Sequence, residues 1–372
     1  MRQPVTLFLS GDIMTGRGID QILPHPSAPR LFEPSVKSAL EYVELAEAAG
    51  EPIPRRAAFD YVWGDALAEL ERRDVSARIV NLETAVTTSD DAWPRKGIHY
   101  RMHPRNVACL AAAHIDCCTL ANNHVLDWGS AGLEETLAIL HRAHIGTAGA
   151  GRDAKEAQAP ACLNTPDGDR IQVFAFGMAS SGVPSEWQAT RIKPGVNWIE
   201  DPSERSVQAV ARQVSAHARA GDIVIASIHW GGNWGFGISD REREFAHGLI
   251  EGAGVDLVHG HSSHHVKAIE VHRGKLILYG CGDLLNDYEG IRGYESFRGD
   301  LSLMYFPTVD AENGALASLS MVPMQMRRFR IRRAPVDAID WLAKTLQRES
   351  SKLGADIARR ADDTLELLWN AP

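Results

Sequence analysis

The sequence lacks any apolar run that approaches the roughly 18 consecutive residues needed to span a bilayer. It also lacks a C-x-x-C pair, and of its five scattered cysteines the adjacent Cys117 and Cys118 lie in an apolar run. Such cysteines are typical of buried, reduced thiols in a cytoplasmic protein. The formal net charge of -9 disfavours nucleic acid as a general partner. These absences predict a soluble cytoplasmic protein with neither a membrane nor a nucleic acid as its partner.

The length and composition permit one large domain or two ordinary ones, because the chain has 372 residues of which 44% are hydrophobic. No low-complexity linker separates two halves. We therefore expect residues 1–310 to form the main domain and residues 311–372 to add strands and helices that complete it. The apolar part of residues 1–10 is too short for a signal peptide, so we interpret it as the first strand. The segment 335–369 is expected to be largely helical.

Short apolar runs alternate with helical patterns, and several of these runs end in polar residues. The clearest example follows Val255–Val258, where a buried strand is predicted to break at Gly260. Four histidines then fall within seven residues: His259, His261, His264 and His265. Scattered core or surface histidines explain this density poorly. Because open α/β sheets carry their chemistry at the carboxyl ends of their strands, we interpret the cluster as metal-binding or acid/base residues.

Polar side chains follow other predicted strands in the same way. They are Asp12, Asn81 with Glu83, Asn122 and Asn123 with His124, and His229. Oxygen and imidazole donors that converge from separate strands are suited to a divalent metal, and thiolate ligands are absent from this set. Asparagine also favours turns and caps, so a capping role is the alternative for Asn122 and Asn123. We expect these strand ends to surround one pocket.

Residues near these strand ends are interpreted as substrate contacts. The candidates are Arg17, Asn122, Trp230, Asn233 and Trp234. Arg17 would hold an anionic substrate group, and a surface arginine is the alternative. Residues 229–235 combine flexible glycines with two tryptophans in a loop that would face the substrate. The tryptophans would otherwise only cover the end of the sheet.

Six motifs occur in order between Leu7 and about Tyr288. They are G-D-I-M-T-G-R, N-L-E-T, A-N-N-H-V-L-D-W-G, S-I-H-W-G-G-N-W, G-H-S-S-H-H-V and L-I-L-Y-G-C-G-D. Together they resemble the CapA proteins associated with poly-gamma-glutamate capsule biosynthesis, which look like calcineurin-type metallophosphoesterases. The resemblance implies an α/β fold built as a four-layer α/β/β/α sandwich. Two sheets would pack face to face, with the site at the strand ends.

The resemblance also implies roles for individual residues. Those at metal-ligand positions are Asp12, Asn123, His229, His261 and His264. His124 matches the position that contacts the substrate as a general acid, and Glu83 or Asn81 stands where phosphoesterases have a bridging aspartate. The implied cofactor is a divalent metal, Mn, Zn or Fe. Met14 replaces the imidazole of the usual D-x-H motif, and a thioether is a poor ligand for hard divalent ions, so we expect one ion or none.

These features favour an enzyme that acts on a peptide substrate, poly-gamma-glutamate or another peptide, by metal-assisted or acid/base chemistry. The residues assigned to catalysis are His124, Asp12, His264 and Glu83. Epimerisation at a peptide Cα is an alternative, because soluble proteins similar to CapA occur as epimerases in lasso-peptide pathways. Phosphoester hydrolysis and non-catalytic binding of a polyanion are the other two. The sequence leaves the reaction, the substrate and the oligomeric state open.

Overall fold

The computed structural model of the protein describes residues 2–370, which form a mixed α/β fold. The strands are β1 (Val5–Ile13), β2 (Ala77–Leu82), β3 (Ala85–Val86), β4 (Arg101–Met102), β5 (Cys117–Thr119), β6 (Gly146–Ala148), β7 (Ala150–Gly151), β8 (Ala161–Asn164), β9 (Arg170–Met178), β10 (Gly195–Val196), β11 (Trp198–Ile199), β12 (Ile223–His229), β13 (Leu257–His261), β14 (Ile269–His272), β15 (Lys275–Leu278), β16 (Asp283–Leu285), β17 (Leu301–Val309), β18 (Leu316–Arg327), β19 (Arg330–Arg333), β20 (Ala355–Arg359) and β21 (Leu365–Trp369).

The helices connect these strands and are short to medium in length. They are α1 (Arg17–Ile22), α2 (Ala39–Ala49), α3 (Asp65–Glu71), α4 (Ala108–Ala112), α5 (Gly129–Arg142), α6 (Ala154–Gln158), α7 (Glu204–His217), α8 (Asp240–Gly252) and α9 (Val336–Ser350). Within residues 2–370, no helix combines the length and the apolar character that crossing a membrane would require.

Two sheets contain most of the strands. The larger has ten strands in the order β20-β21-β18-β17-β1-β2-β5-β6, with β16 beside β1 and β19 beside β18. The smaller has seven in the order β11-β9-β12-β13-β15-β14, with β8 beside β9. Strands β1, β2, β5 and β6 run parallel in the first sheet, as do β9, β12, β13 and β15 in the second. Their carboxyl ends therefore lie together at one edge of each sheet.

Strand β1 shows how the sequence pattern positions the core. Alternate side chains of a strand point to opposite faces, so its apolar run buries both sides. Leu7 and Leu9 join an apolar cluster that also contains Val173 and Ile225 of the smaller sheet. Phe8 joins a different cluster, which includes apolar side chains of α1, α2 and α5. Residues of both sheets thus share one core, and β1 contributes to the cores on both of its faces.

The prediction that segment 335–369 is largely helical is wrong for its second half. Helix α9 ends at Ser350, and Gly354 adopts a φ of +82°, a backbone conformation that suits glycine. Strands β20 and β21 then form an antiparallel hairpin, and β21 pairs with β18 of the larger sheet. Leu365 and Leu367 are buried at alternate positions, which is a strand period. Residues 365–369 form a strand because they pair with β18, about 45 residues earlier in the chain. The local sequence pattern does not reveal this long-range pairing.

Candidate active site

Several of the predicted polar residues lie together where parallel strands of the two sheets end. Asp12 of β1 stands beside Asn81 of β2, and His229 of β12 stands beside His261 of β13. All four side chains are buried. Strands β1 and β13 continue further than their sequence pattern indicated, so Asp12 and His261 are strand residues rather than loop residues. Regular backbone hydrogen bonding therefore fixes the direction in which these side chains point.

A chain of hydrogen bonds sets the tautomers of the buried histidines. His259 Nε2 lies 2.8 Å from the carbonyl oxygen of Ser10, so this nitrogen carries the proton and donates it. His259 Nδ1 is then an acceptor, and the Ser227 hydroxyl lies 3.1 Å from it. The Ser227 oxygen accepts from His261 Nε2 at 2.8 Å. His261 Nδ1 is left with a lone pair that faces His229 Nδ1 at 2.8 Å.

The imidazole rings of His229 and His261 are neutral and lie close to side-chain oxygen atoms. Burial lowers the pKa of both rings well below the usual value, and neighbouring imidazoles lower it further. His229 Nε2 lies 3.2 Å from Asn123 Oδ1 and 3.8 Å from Glu83 Oε1. His261 Nδ1 lies 3.8 Å from Asp12 Oδ1. Neutral imidazole nitrogens close to carboxylate and carboxamide oxygens are the ligand set that divalent transition metals prefer.

Two carboxyl groups in this centre are held in a low-dielectric environment. Burial, followed by repulsion from Asp283, raises the pKa of Asp12 to about 7. Asn81 donates to Asp12 Oδ1 at 2.7 Å, and the Ser262 backbone N–H donates to Oδ2 at 3.2 Å. Burial and then Asp12 raise the pKa of Glu83 well above its usual range. Glu83 Oε2 is buried without a hydrogen-bond partner among residues 2–370. A bound cation would remove this unfavourable state, so the residues present fit a divalent metal.

A second possible ligand group shares Asp12 with the first and adds His264 and Asp283. His264 Nδ1 lies 3.0 Å from Asp283 Oδ1. Burial lowers the pKa of His264, but attraction to Asp283 outweighs it and the net shift is upward. The raised pKa means that His264 holds a proton more strongly than an ordinary histidine, and this proton must leave before the nitrogen can bind a cation. The neutral His229 and His261 do not require that loss, so the first group is the better metal site.

His124 lies beside the candidate metal ligands, with its Nδ1 against Asp127 and its Nε2 facing Glu83. Its Nδ1 is 2.6 Å from Asp127 Oδ2 and 3.0 Å from Lys96 Nζ, and its Nε2 is 3.7 Å from Glu83 Oε1. Burial lowers the pKa of His124 to about 4, so the ring is neutral near pH 7. The short contact with the Asp127 carboxylate places the proton on Nδ1. Nε2 therefore begins as a proton acceptor, whereas the family resemblance implied a general acid.

The proposed substrate contacts fall into two groups. Arg17 is a correction: its buried guanidinium donates to Asp287 and Glu33, each at 3.0 Å, and leaves no charge for a substrate anion. Trp230 is also buried, and it donates to the Tyr279 carbonyl at 3.0 Å. It covers the sheet, which was the alternative interpretation.

The remaining proposed substrate contacts are Asn233, Trp234 and Asn122, of which Asn122 positions its neighbours. It donates to Asn81 Oδ1 at 3.1 Å and accepts from the His124 backbone N–H at 3.1 Å. Asn233 is exposed, and its carbonyl accepts from the His264 backbone N–H at 3.0 Å. Trp234 is half-buried, with its ring centre 5.4 Å from that of His264. Asn233 and Trp234 therefore remain predicted substrate contacts.

Sequence reasoning missed four residues that contact the site. Asp283 follows Gly282 at the end of an apolar run, as Asp12 follows Gly11, so the same rule could have found it. Asp127 lies three positions after His124 within a quoted motif. Tyr288 Oη lies 3.4 Å from His264 Nε2. Lys96 lies in an irregular segment that carries no sequence signal for its contact with His124.

The fold and the site define a mixed α/β protein with possible metal-ligand groups at the ends of parallel strands. Residues 6–288 match the family described as bacterial capsule synthesis protein PGA_cap, and the chain belongs to this family. The resemblance to CapA proteins is thereby confirmed.

Relatives of the chain carry names from capsule, PGA and polyglutamine synthesis. A probable polyglutamine synthesis accessory protein of Mycobacterium tuberculosis is 46% identical over 365 residues, covering 98% of this chain and 96% of the relative. The PGA biosynthesis protein CapA of Bacillus subtilis is 27% identical over 77% of this chain and 64% of its own length. The capsule biosynthesis protein CapA of Bacillus anthracis is 24% identical over 99% of this chain and 78% of its own. The similarity to the mycobacterial protein thus includes the C-terminal segment beyond residue 288.

Proposed function

We propose that the protein is a metal-dependent enzyme that acts on the backbone of a peptide. Asp12, Asn123, His229 and His261 would hold one divalent ion beside Glu83. The observation that supports this most is the approach of two neutral imidazoles to oxygen ligands, next to a buried carboxyl oxygen of Glu83 that lacks a partner. We carry a polyamide substrate over from the mycobacterial relative, which is named for polyglutamine synthesis.

Amide hydrolysis is the reaction that this arrangement supports best. A divalent ion would supply Lewis acidity to the substrate carbonyl and a more acidic water. His124 Nε2 accepts a proton from the attacking water as the new C–O bond forms. When the C–N bond breaks, His124 returns this proton to the leaving amine. Asp127 accepts from Nδ1–H and Lys96 pairs with the Asp127 carboxylate, so Nε2 stays directed at the site.

Epimerisation at a peptide Cα is a second candidate, because the pKa values of two histidines are displaced in opposite directions. Burial lowers that of His124 to about 4, whereas Asp283 overcomes burial and raises that of His264. Two groups whose pKa values are shifted in opposite directions are suited to act as a base and an acid. His124 would remove the α-proton, and His264 would return a proton to the opposite face. No backbone bond would break in this reaction.

Mass spectrometry of peptides incubated with the protein in deuterated water distinguishes these two reactions. Hydrolysis is expected to give two fragments whose masses together exceed that of the substrate by one water. Epimerisation is expected to add one deuterium at Cα without cleavage. The His124→Ala variant serves as the control for a contaminating activity. If metal-supplied protein changes neither α-linked nor γ-linked glutamyl peptides nor mixed-sequence peptides, the proposed enzyme activity is wrong.

We expect one tightly held divalent ion per chain, because attraction to Asp283 holds a proton on His264 more strongly and so opposes the binding of a second ion. Elemental analysis of Mn, Zn and Fe after gel filtration measures this number. His229→Ala should lower it to near zero. His217→Ala is the matched control, because His217 is exposed at the end of α7 and belongs to none of the possible ligand groups among residues 2–370. Two ions per chain that both depend on Asp12 would contradict this prediction.

We also infer that the layers stack as an α/β/β/α sandwich in one domain that includes residues 311–372. The apolar cluster that contains side chains from both sheets supports the stacking. Pairing of β18 with β17 and of β21 with β18 supports the single domain, because these strands extend the same sheet.

A further inference from the structure

A cavity of about 450 Å³ lies beside the candidate active site, and its described lining is separate from the candidate metal ligands. Three lining residues join the two regions. The Trp234 ring centre is 5.4 Å from that of His264, and Tyr288 Oη is 3.4 Å from His264 Nε2. Asn286 Nδ2 donates to Asp283 Oδ2 at 2.9 Å. A ligand in this cavity would therefore be separated from His264 and Asp283 by a single layer of side chains.

One wall of the cavity is aromatic and apolar. Tyr294 stacks on Trp234 with ring centres 4.2 Å apart and an angle of 8° between the rings. Tyr294 is 46% exposed, so part of its ring remains open to a ligand. Ile291, Met326 and Pro335 extend the apolar surface. Such a wall favours an apolar side chain, and an aromatic face also attracts a cation.

The charged residues that line the cavity leave an excess of negative charge. They are the carboxylates Glu289, Glu295, Asp300 and Asp337 and the guanidinium groups Arg298 and Arg327. Arg298 Nε lies 2.8 Å from Asp300, and Arg327 lies 3.9 Å from Glu289. Across residues 2–370, neither Glu295 nor Asp337 forms a salt bridge. Asp337 is therefore available to a positively charged group. Glu295 accepts from the Gly293 backbone N–H at 3.0 Å, which leaves its negative charge in place.

We propose that this cavity binds the part of a peptide substrate that carries an apolar side chain next to an ammonium or guanidinium group. The proposal rests on the proposed function, because the peptide would extend from the candidate active site into the cavity. The volume lies within the range of about 300–1,000 Å³ that is usual for ligand pockets. A γ-linked polyglutamate carries one free carboxylate per residue, and Glu295 and Asp337 would repel such a chain. Charge complementarity thus favours a cationic peptide over a polyanion.

Isothermal titration of the full chain with three probe peptides tests this proposal. The His124→Ala variant is used so that binding is measured without turnover. The probes are Lys-Leu-Gly amide, the same peptide acetylated on both amines, and a trimer of γ-linked glutamate. Acetylation is expected to weaken binding by about fivefold or more, because it removes both positive charges. Equal affinity for the acetylated peptide, stronger binding of the glutamate trimer, or no binding of Lys-Leu-Gly amide at millimolar concentration would each overturn the proposal.

Substitutions in the lining locate the binding. Asp337→Asn and Glu295→Gln should each weaken binding of the cationic probe by about two- to fivefold, as expected for exposed ion pairs. Neither should affect the acetylated probe. Asp167→Asn is the matched control, because Asp167 is an exposed carboxylate in the turn between β8 and β9. It should leave the affinity for every probe unchanged. Unchanged binding in both lining variants would overturn the proposal, whereas charge-dependent binding without turnover in the wild-type protein would count only against the proposed function.

Discussion

Replacing His124 with alanine is expected to slow turnover of a confirmed peptide substrate by about 100-fold or more. His124 Nε2 faces the pocket as a free acceptor, because Asp127 fixes the proton on Nδ1 and burial keeps the ring neutral. Alanine removes the acceptor, so water or the α-carbon must lose its proton without a positioned base. Steady-state kinetics with the metal supplied in excess measures the effect. The decrease should fall mainly on kcat, since proton transfer takes place after the substrate binds.

His217→Ala is the matched control for this experiment. His217 is exposed at the end of α7, and its loss should leave turnover within about twofold of the wild type because it touches no part of the site. Both variants must show the wild-type circular dichroism spectrum and the same bound metal. Near wild-type turnover in a folded, metal-loaded His124→Ala protein would show that His124 only binds or orients. The acid/base scheme for this residue would then be abandoned.

The sequence was sufficient to locate the strands that carry the site. The apolar part of residues 1–10, interpreted as the first strand, begins β1 at Val5, and its side chains are buried on both faces of the sheet. The rule that polar residues follow such strands also led to Asp12, His229 and His261, which the structure brings together. The periodic pattern of buried residues and the position of strand ends are local properties, and a single sequence reports them well.

Contacts that depend on distant parts of the chain could not be read in this way. Lys96 reaches His124 from an irregular segment, and its side chain could have faced solvent equally well in the sequence alone. Arg17 and Trp230 were expected to face a substrate, but the first pairs with Asp287 and the second packs on Tyr279. Their partners are separated from them by 270 and 49 residues. Whether a charged or aromatic residue is buried is therefore decided by tertiary packing, and residue type does not reveal it.

Replacing Asp287 with alanine is expected to lower the free energy of unfolding by about 3–5 kcal/mol. This is the usual cost of leaving one charge of a buried ion pair without its partner. The Asp287 carboxylate accepts from Arg17 Nε at 3.0 Å and from the Gly18 backbone N–H at 2.9 Å. Arg17 is 4% exposed, so water cannot replace the missing partner without disturbing the core. Glu33 would remain as the one carboxylate paired with the guanidinium among residues 2–370. Urea denaturation followed by circular dichroism measures the loss.

Asp340→Ala is the control that separates burial from ion pairing as such. Asp340 also pairs with an arginine, Arg359, at 2.6 Å, but its side chain is 49% exposed. Its removal should cost less than about 1 kcal/mol, because Asp363 still pairs with Arg359 and water reaches the guanidinium. Asp287→Asn keeps the shape of the buried side chain and should recover part of the loss through the Gly18 N–H. A loss below about 1 kcal/mol in Asp287→Ala would mean that Glu33 alone stabilises the Arg17 charge, and the buried pair would then contribute no more than the exposed one.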